Sequence, residues 1–465
     1  MFSQPDITVR NFAGKINSPN PFWLASAPPT NTGEQIMRAF DAGWGGAVWK
    51  TIGAPVTNVS SRYSSIDWQG QRMMGFNNIE LISDRPIEVN LAEITEVKRR
   101  YPAHAVIASL MVESTREAWH DIVSRAEDAG ADGLELNFGC PHGMSERGMG
   151  SAVGQVPEYA QMITKWVKER AQTPVLVKLT PNISDIRAVA RAAKRGGADG
   201  ISAINTINSI TGIDLDTLIP RPNVDGKSSH GGYCGPAVKP IALNMVQQVM
   251  ADPEGALPMS GIGGISDWRD AAEFILLGCG TVQVCTAAMH YGYRIVEDMA
   301  DGLSNWMREK GFQTIEDFRG LSLNRVTDWK HLNLNYKIVA HIDENKCIGC
   351  DLCHIACWDG AHQCIHLDRV SGPVDGHVEN HPIPTLREAA SHAALTQTPV
   401  TRRERQRVAD HGPYPTPLSR IPRVDETECV GCNLCSCVCP VENCIIMVEV
   451  PTGQAPETWA ERTAS

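Results

Sequence analysis

The chain has 465 residues and a formal net charge of −11, with 42 Lys and Arg against 53 Asp and Glu, 42% apolar residues and 20% charged ones. This length corresponds to about two or three domains, the composition excludes a chain disordered throughout, and the acidic balance argues against a nucleic-acid partner, which calls for a basic surface. No apolar run approaches the ~18 residues of a membrane span, and MFSQPDITVRNFAGKINSPN at the start lacks the basic and then apolar stretches of a secretory signal, so the cytoplasm is the expected compartment.

Eight apolar, strand-like runs follow one another over residues 1–311: 22–27, 47–51, 105–110, 133–138, 175–180, 200–206, 257–264 and 281–287. Each is followed by a stretch of helical periodicity, as in REAWHDIVSRAEDAG, DIRAVARAAKRGG and SDWRDAAEFILLG. Four helices close on a similar tag before the next strand: DAGWG, DAGADG, RGGADG and LGCG. Glycine there supplies a left-handed cap, and its recurrence predicts one αβ joint used repeatedly. Eight such units predict an α/β fold, a (β/α)8 TIM barrel; a doubly wound sheet is the alternative. In a barrel the chemistry collects at the C-terminal ends of the strands. Those ends carry Ser26, Lys50, Thr51, Asn137, Cys140, Lys178, Thr180, Asn205, Thr206, Gly263, Gly264 and Thr286. Residues 312–340 read as a connector.

Residues 341–465 read as a second unit. Eleven of the 15 cysteines fall there; only Cys140, Cys234, Cys279 and Cys285 precede it. Crowded cysteines in a reducing compartment point to metal or redox chemistry. Cys347, Cys350, Cys353 and Cys357 have the spacing C-x2-C-x2-C-x3-C, and Cys429, Cys432, Cys435 and Cys439 repeat it, followed by Pro440. This is the run of bacterial-type ferredoxins, in which the fourth cysteine of each run serves the other cluster. Cys347, Cys350, Cys353 and Cys439 are therefore expected to hold one [4Fe–4S] cluster, and Cys429, Cys432, Cys435 and Cys357 the other. A zinc ribbon needs only four ligands, usually as two pairs, and leaves the third and fourth cysteine of each run unexplained. Cys364, Cys437 and Cys444 lie outside the spacing and read as packing residues. Trp358, not proline, follows Cys357, and a long insertion at about 371–421 separates the runs. Its RRERQR stretch reads as a solvated face, or else as a docking surface for an acidic partner. Such clusters carry single electrons and do no organic chemistry alone. A second centre must convert those electrons into a hydride, and flavin is the natural one.

The segments FNNIELIS (76–83), LELNFGCPHGMSERGMGSAVGQ (134–155), VLVKLTPN (175–182), AINT (203–206) and SGIGGI (260–265), together with both cysteine runs, resemble the dihydropyrimidine dehydrogenases, and among them the bacterial FMN-carrying subunit. The N-x-x-C-P element alone is shared with dihydroorotate dehydrogenases. The resemblance implies reduction of the 5,6 double bond of uracil or thymine, with a hydride delivered to C6 from flavin and a proton to C5 from Cys140. It implies Asn78, Asn137, Phe138, Gly139, Asn205 and Thr206 as substrate residues; Gly139 stands where some relatives have serine. It assigns Ser26, Lys50, Thr51, Lys178, Gly235, Gly263, Gly264 and Thr286 to FMN. His142 either tunes the Cys140 thiol or is an ordinary loop residue. The glycine-rich stretch 143–155 reads as a loop that closes over the substrate, or as a plain surface loop. No G-x-G-x-x-G fingerprint occurs, so no nicotinamide site is expected on this chain. The resemblance places NADH and FAD on a partner subunit in a heterotetramer. Two other readings cover part of the chain: a dihydroorotate dehydrogenase-like flavoprotein, and a ferredoxin-type electron-transfer module with a vestigial barrel.

Overall fold

The eight runs become eight parallel strands that close a barrel in the computed structural model, which describes residues 4–12, 14–141, 143–369 and 420–464. The strands are β1 (Phe22–Leu24), β2 (Gly46–Val48), β3 (Ala105–Leu110), β4 (Gly133–Asn137), β5 (Val175–Lys178), β6 (Gly200–Ala203), β7 (Met259–Ile262) and β8 (Thr281–Val284). Each pairs with its sequence neighbours, and β8 returns to β1 through Val282 opposite Phe22. Their residues are buried on both faces, which is why they read as continuous apolar runs rather than alternating ones. Six of the eight runs extend two or three residues beyond the C-terminal ends of their strands, and those extra residues turn into the mouth; 133–138 extends one residue and 105–110 none.

The intervening helices begin where side chains satisfy the free N–H groups of the first turn. Thr115 accepts from Ala118 N ahead of Arg116–Asp128, Asp185 from Arg187 N ahead of Ile186–Arg195, and Asp267 from Arg269 N and Asp270 N ahead of Trp268–Leu276. The four tags end in one geometry: Gly43, Gly130, Gly197 and Gly278 have φ of 113°, 90°, 93° and 108°, a region closed to most side chains.

The barrel interior holds a polar layer that the sequence reading did not anticipate. The fully buried Glu135 accepts from Ser202 Oγ (2.7 Å) and Gln283 Nε2 (3.0 Å), and Ser260 Oγ accepts from Thr281 (2.9 Å). The loops after β2 and β6 meet in a four-stranded antiparallel sheet, in the order Ile207–Ser209, Gly231–Cys234, Gln71–Asn78 and Tyr63–Trp68. It carries Asn78 and Tyr233 to the mouth.

The chain divides into two units, residues 1–326 and 327–465. The stretch expected as a connector is shared between them. Phe312 and Phe318 stack on each other and pack with Trp306 of the barrel unit, whereas Ile338–Ile342 is a strand of the second unit. That strand pairs antiparallel with Ile445–Glu449, and Ile365–Arg369 pairs with Arg420–Val424. Helices Leu352–Gly360 and Leu434–Val438 complete two pseudo-equivalent halves, a ferredoxin-like arrangement. Nearly all of the expected insertion at 371–421 lies outside the described residues; its flanks, Arg369 and Arg420, are opposite each other in the second pair. Among the described residues no helix is long and apolar enough to cross a membrane.

Candidate active site and cluster sites

A cleft of about 1130 Å3 opens at the C-terminal end of the barrel. Thr51, Asn137, Asn205 and Thr206 line it and are joined in one line of hydrogen bonds. Asn137 Nδ2 donates to Thr51 Oγ1 (2.9 Å), Asn205 Nδ2 donates to Asn137 Oδ1 (2.9 Å), and Thr206 N donates to Asn205 Oδ1 (2.8 Å). Ser26 Oγ extends the line at 3.1 Å from Thr51 Oγ1, and Ser109 Oγ lies 2.9 Å from the same atom. Asn78 enters from the sheet, its Nδ2 donating to Gly232 O (3.2 Å). The result is a neutral wall of amides and hydroxyls whose orientations are fixed before any ligand arrives.

Phe138 does not line the cleft, contrary to the expectation for it. Successive strand residues face opposite ways, so Asn137 faces the mouth while Phe138 is buried against Trp119, with ring centroids 6.2 Å apart. Gly139 also stands behind the lining. Its N–H donates to Asn137 Oδ1 (3.2 Å), and a Cβ there would fall 2.4 Å from Asn205. Glycine at 139 therefore makes room for the Asn205 side chain.

Cys140 lines the cleft and is 8% exposed, packed with Ile82, Met111, Met144 and Met149. Met144 and Met149 belong to the glycine-rich loop, and Ser151 N donates to Cys140 O (3.0 Å). That loop thus covers the thiol with apolar side chains. His142 lies outside the described residues. Two further cysteines, Cys234 and Cys285, share the cleft. Burial pushes the Cys234 thiol up to about 11 and that of Cys285 higher still, so both stay neutral at pH 7.

Two lysines reach the cleft in different circumstances. Lys50 Nζ is 2.6 Å from Glu80 Oε1, with both side chains under 10% exposed. Glu80 also accepts from Arg62 (3.2 Å) and from the Tyr63 hydroxyl. Burial and the Glu80 hydrogen bond hold the Tyr63 phenol protonated well above its ordinary range. Glu80 and Tyr63 were missed at the sequence level; the available signal was an acid set between apolar residues in NNIELIS. Lys178 Nζ lies 3.6 Å from Glu135 Oε1, beyond hydrogen-bonding distance, with its side chain 7% exposed. A buried ammonium held so loosely has donors for a ligand in the cleft.

At the far side of the cleft Gly235, Gly263 and Gly264 lie together beside Thr286. A Cβ on Gly264 would fall 2.7 Å from Lys239 N and 3.0 Å from Gly235 O, and its φ is +75°. Only glycine lets these loops approach so closely. The backbone there leads through Pro236–Val238 into the helix Lys239–Met250, and the start of a helix is a favourable place for a phosphate.

In the second unit the cysteines line two small voids. Cys429, Cys432 and Cys435 line the first with Cys357; Cys347, Cys350 and Cys353 line the second with Cys439. The fourth cysteine of each run thus lines the other run's void. Each void has a fifth cysteine as well, Cys364 in the first and Cys444 in the second. Among the described residues no three His, Cys, Asp or Glu side chains converge on a point suited to one metal ion. A cubane asks for something else: four thiolates spaced around a void, one for each iron.

A barrel with this mouth, followed by two cysteine-lined voids, defines an oxidoreductase in which a flavin site is coupled to iron–sulfur electron transfer. The chain belongs to the dihydroorotate dehydrogenase family, which residues 11–307 match, and residues 346–443 match a 4Fe-4S dicluster domain. It is 47% identical over 360 residues, 77% of this chain and 87% of the relative, to the NAD-dependent dihydropyrimidine dehydrogenase subunit PreA of Escherichia coli strain K12. It is 44% identical over 337 residues (70% and 79%) to the chloroplastic dihydropyrimidine dehydrogenase (NADP(+)) of Arabidopsis thaliana. To the catalytic subunit of dihydroorotate dehydrogenase B (NAD(+)) of Pyrococcus abyssi it is 37% identical over 315 residues (66% and 97%).

The cleft residues fit a flavin: Lys178 offers a buried cation, Gln283 Oε1 is a buried acceptor with no partner among the described residues, and the glycine cradle leaves room for a phosphate. The second unit is expected to depend on its clusters for stability. Among its described residues, six of the eleven buried ones in the core are cysteines, which leaves five apolar side chains. So small a core rarely suffices without metal. Stripping iron with a chelator under reducing conditions removes one of two calorimetric transitions and leaves the barrel transition in place; two unchanged transitions would contradict this.

Proposed function

We propose that this chain reduces uracil and thymine to 5,6-dihydropyrimidines at the barrel mouth. The observation that carries the reading is the neutral amide wall next to Cys140, with the nearby cations Lys50 and Arg62 already bound to Glu80. A pyrimidine presents alternating carbonyl and N–H groups, and Asn78, Asn137, Asn205 and Thr206 supply both donors and acceptors to them. An orotate carboxylate would need a free cation; Lys50 and Arg62 are engaged by Glu80, and Lys178, the loosely held one, is given to the flavin.

When bound, FMN supplies the hydride that adds to C6. Cys140 holds the proton destined for C5, the thiol serving as the positioned acid. The methionines over it keep bulk water from competing as proton source. Lys178 neutralises negative charge that develops on the flavin edge. Ser26, Lys50, Thr51 and Thr286 line the flavin side of the cleft, and Gly235, Gly263 and Gly264 cradle its phosphate. The eight run cysteines hold two [4Fe–4S] clusters. Bound there, the clusters would supply single-electron transfer from a partner subunit that carries FAD and oxidises NADH, in a cytoplasmic heterotetramer.

Ligand titration of the anaerobic, flavin-loaded chain tests this reading. Uracil and thymine perturb the flavin absorbance and saturate; orotate leaves it unchanged. Saturation by orotate without response to uracil would assign the cleft to the dihydroorotate reaction instead.

A further inference from the structure

The void lined by Cys357, Cys429, Cys432 and Cys435 contains five thiols, and a cubane uses four. The fifth, Cys364, is 4% exposed, with its Sγ 3.5 Å from Cys357 Sγ. Two thiolates on one tetrahedral metal ion with ~2.3 Å metal–sulfur bonds stand about 3.8 Å apart. Cys364 is therefore within reach of the same metal position as Cys357. It also approaches Cys429, a second member of the set.

The backbone holds Cys364 there firmly. Its N–H donates to Cys357 Sγ (3.3 Å), and Asp425 N donates to its carbonyl (2.7 Å). Gln363 before it has φ of +59°, and its N–H donates to Cys357 O (3.1 Å). The other half of the unit repeats the pattern: Asn443 has φ of +54°, Cys444 follows it, and Asp343 N donates to the Cys444 carbonyl (2.8 Å). There the thiol has a second destination, since Cys444 Sγ donates to Asp343 O (3.7 Å). The Cys364 thiol instead faces the sulfurs of Cys357 and Cys429.

We propose that Cys364 is a reserve ligand that takes the place of Cys357 on the cluster bound by Cys429, Cys432 and Cys435. In the exchange the Cys364 thiol loses its proton to water as its sulfur bonds to iron, the Cys357 sulfur leaves and takes up a proton, and no electron changes hands. The inference rests on the cluster assignment proposed above, and the test separates the two.

Wild type, Cys357→Ala, Cys364→Ala and the double variant are purified anaerobically, with flavin content as the check that the barrel is intact. Iron and acid-labile sulfide are counted, and the reduced clusters are followed by EPR. About eight iron atoms per chain are expected in wild type, in Cys364→Ala and in Cys357→Ala, the last with altered EPR of one cluster; the double variant falls to about four. Equal iron loss in Cys357→Ala and in the double variant overturns the proposal. A wild type without iron for two clusters overturns the cluster assignment instead. Cys357→Ser, read in the same way with and without Cys364, decides the matter if the alanine variant does not fold.

Discussion

Replacing Cys140 with alanine lowers uracil reduction by about 10^2- to 10^4-fold, the usual contribution of a positioned acid, and leaves flavin and iron contents unchanged. The reason is local. Cys140 lies next to the amide wall and under Met144 and Met149, so alanine removes one sulfur from an apolar pocket without breaking the hydrogen-bond line from Ser26 to Thr206. Cys234 and Cys285 do not substitute, because burial raises both thiols and makes them weaker acids, and the Cys234 thiol already donates to Phe76 O (3.3 Å). Steady-state kinetics with dihydrouracil detection makes the comparison. Turnover within a factor of two of wild type would remove Cys140 from the acid role.

Lys178→Met is expected to have the second largest effect, a loss of about 10^2- to 10^3-fold in turnover, comparable to removing one preorganised donor from a site of developing charge. It also lowers the flavin midpoint potential, since a cation near the ring stabilises the reduced anion. This substitution carries a structural cost too. Glu135 is fully buried and Lys178 is its neighbouring cation, so the single variant strands a carboxylate in the barrel, at a cost of about 3–5 kcal/mol. Glu135→Gln in the same chain restores thermal stability but not the rate. Recovery of both together would make Lys178 a purely structural residue.

Much of the fold was legible because parallel barrel strands are buried on both faces and each joint reuses a glycine at positive φ; periodicity and the tags at Gly43, Gly130, Gly197 and Gly278 both come from local geometry. The cysteine runs were legible because cluster ligation depends on short-range spacing. The sheet over the mouth was not. It pairs Tyr233 with Asn77, more than 150 residues apart, and no local pattern announces such a partner. The Glu80 cluster is set instead by the hairpin of Tyr63–Trp68 with Gln71–Asn78, which brings Arg62 and Tyr63 to Glu80, and Glu80 in turn meets Lys50. Phe138 was misplaced for a simple reason: it sits beside Asn137 in sequence, but strand alternation turns it away. Cys364 read as packing because spacing alone does not reveal that a turn after the helix Leu352–Gly360 carries it back to Cys357.

The most direct test of the central claim is a single-turnover experiment on the intact, flavin- and iron-loaded chain. The chain is reduced anaerobically with a chemical donor and mixed with uracil in D2O, and the product is identified by mass and by NMR. The account predicts 5,6-dihydrouracil in proportion to the electrons stored, with one deuterium at C5 and its yield in the reaction time collapsing in Cys140→Ala. Fully reduced wild-type chain that leaves uracil unchanged would contradict it.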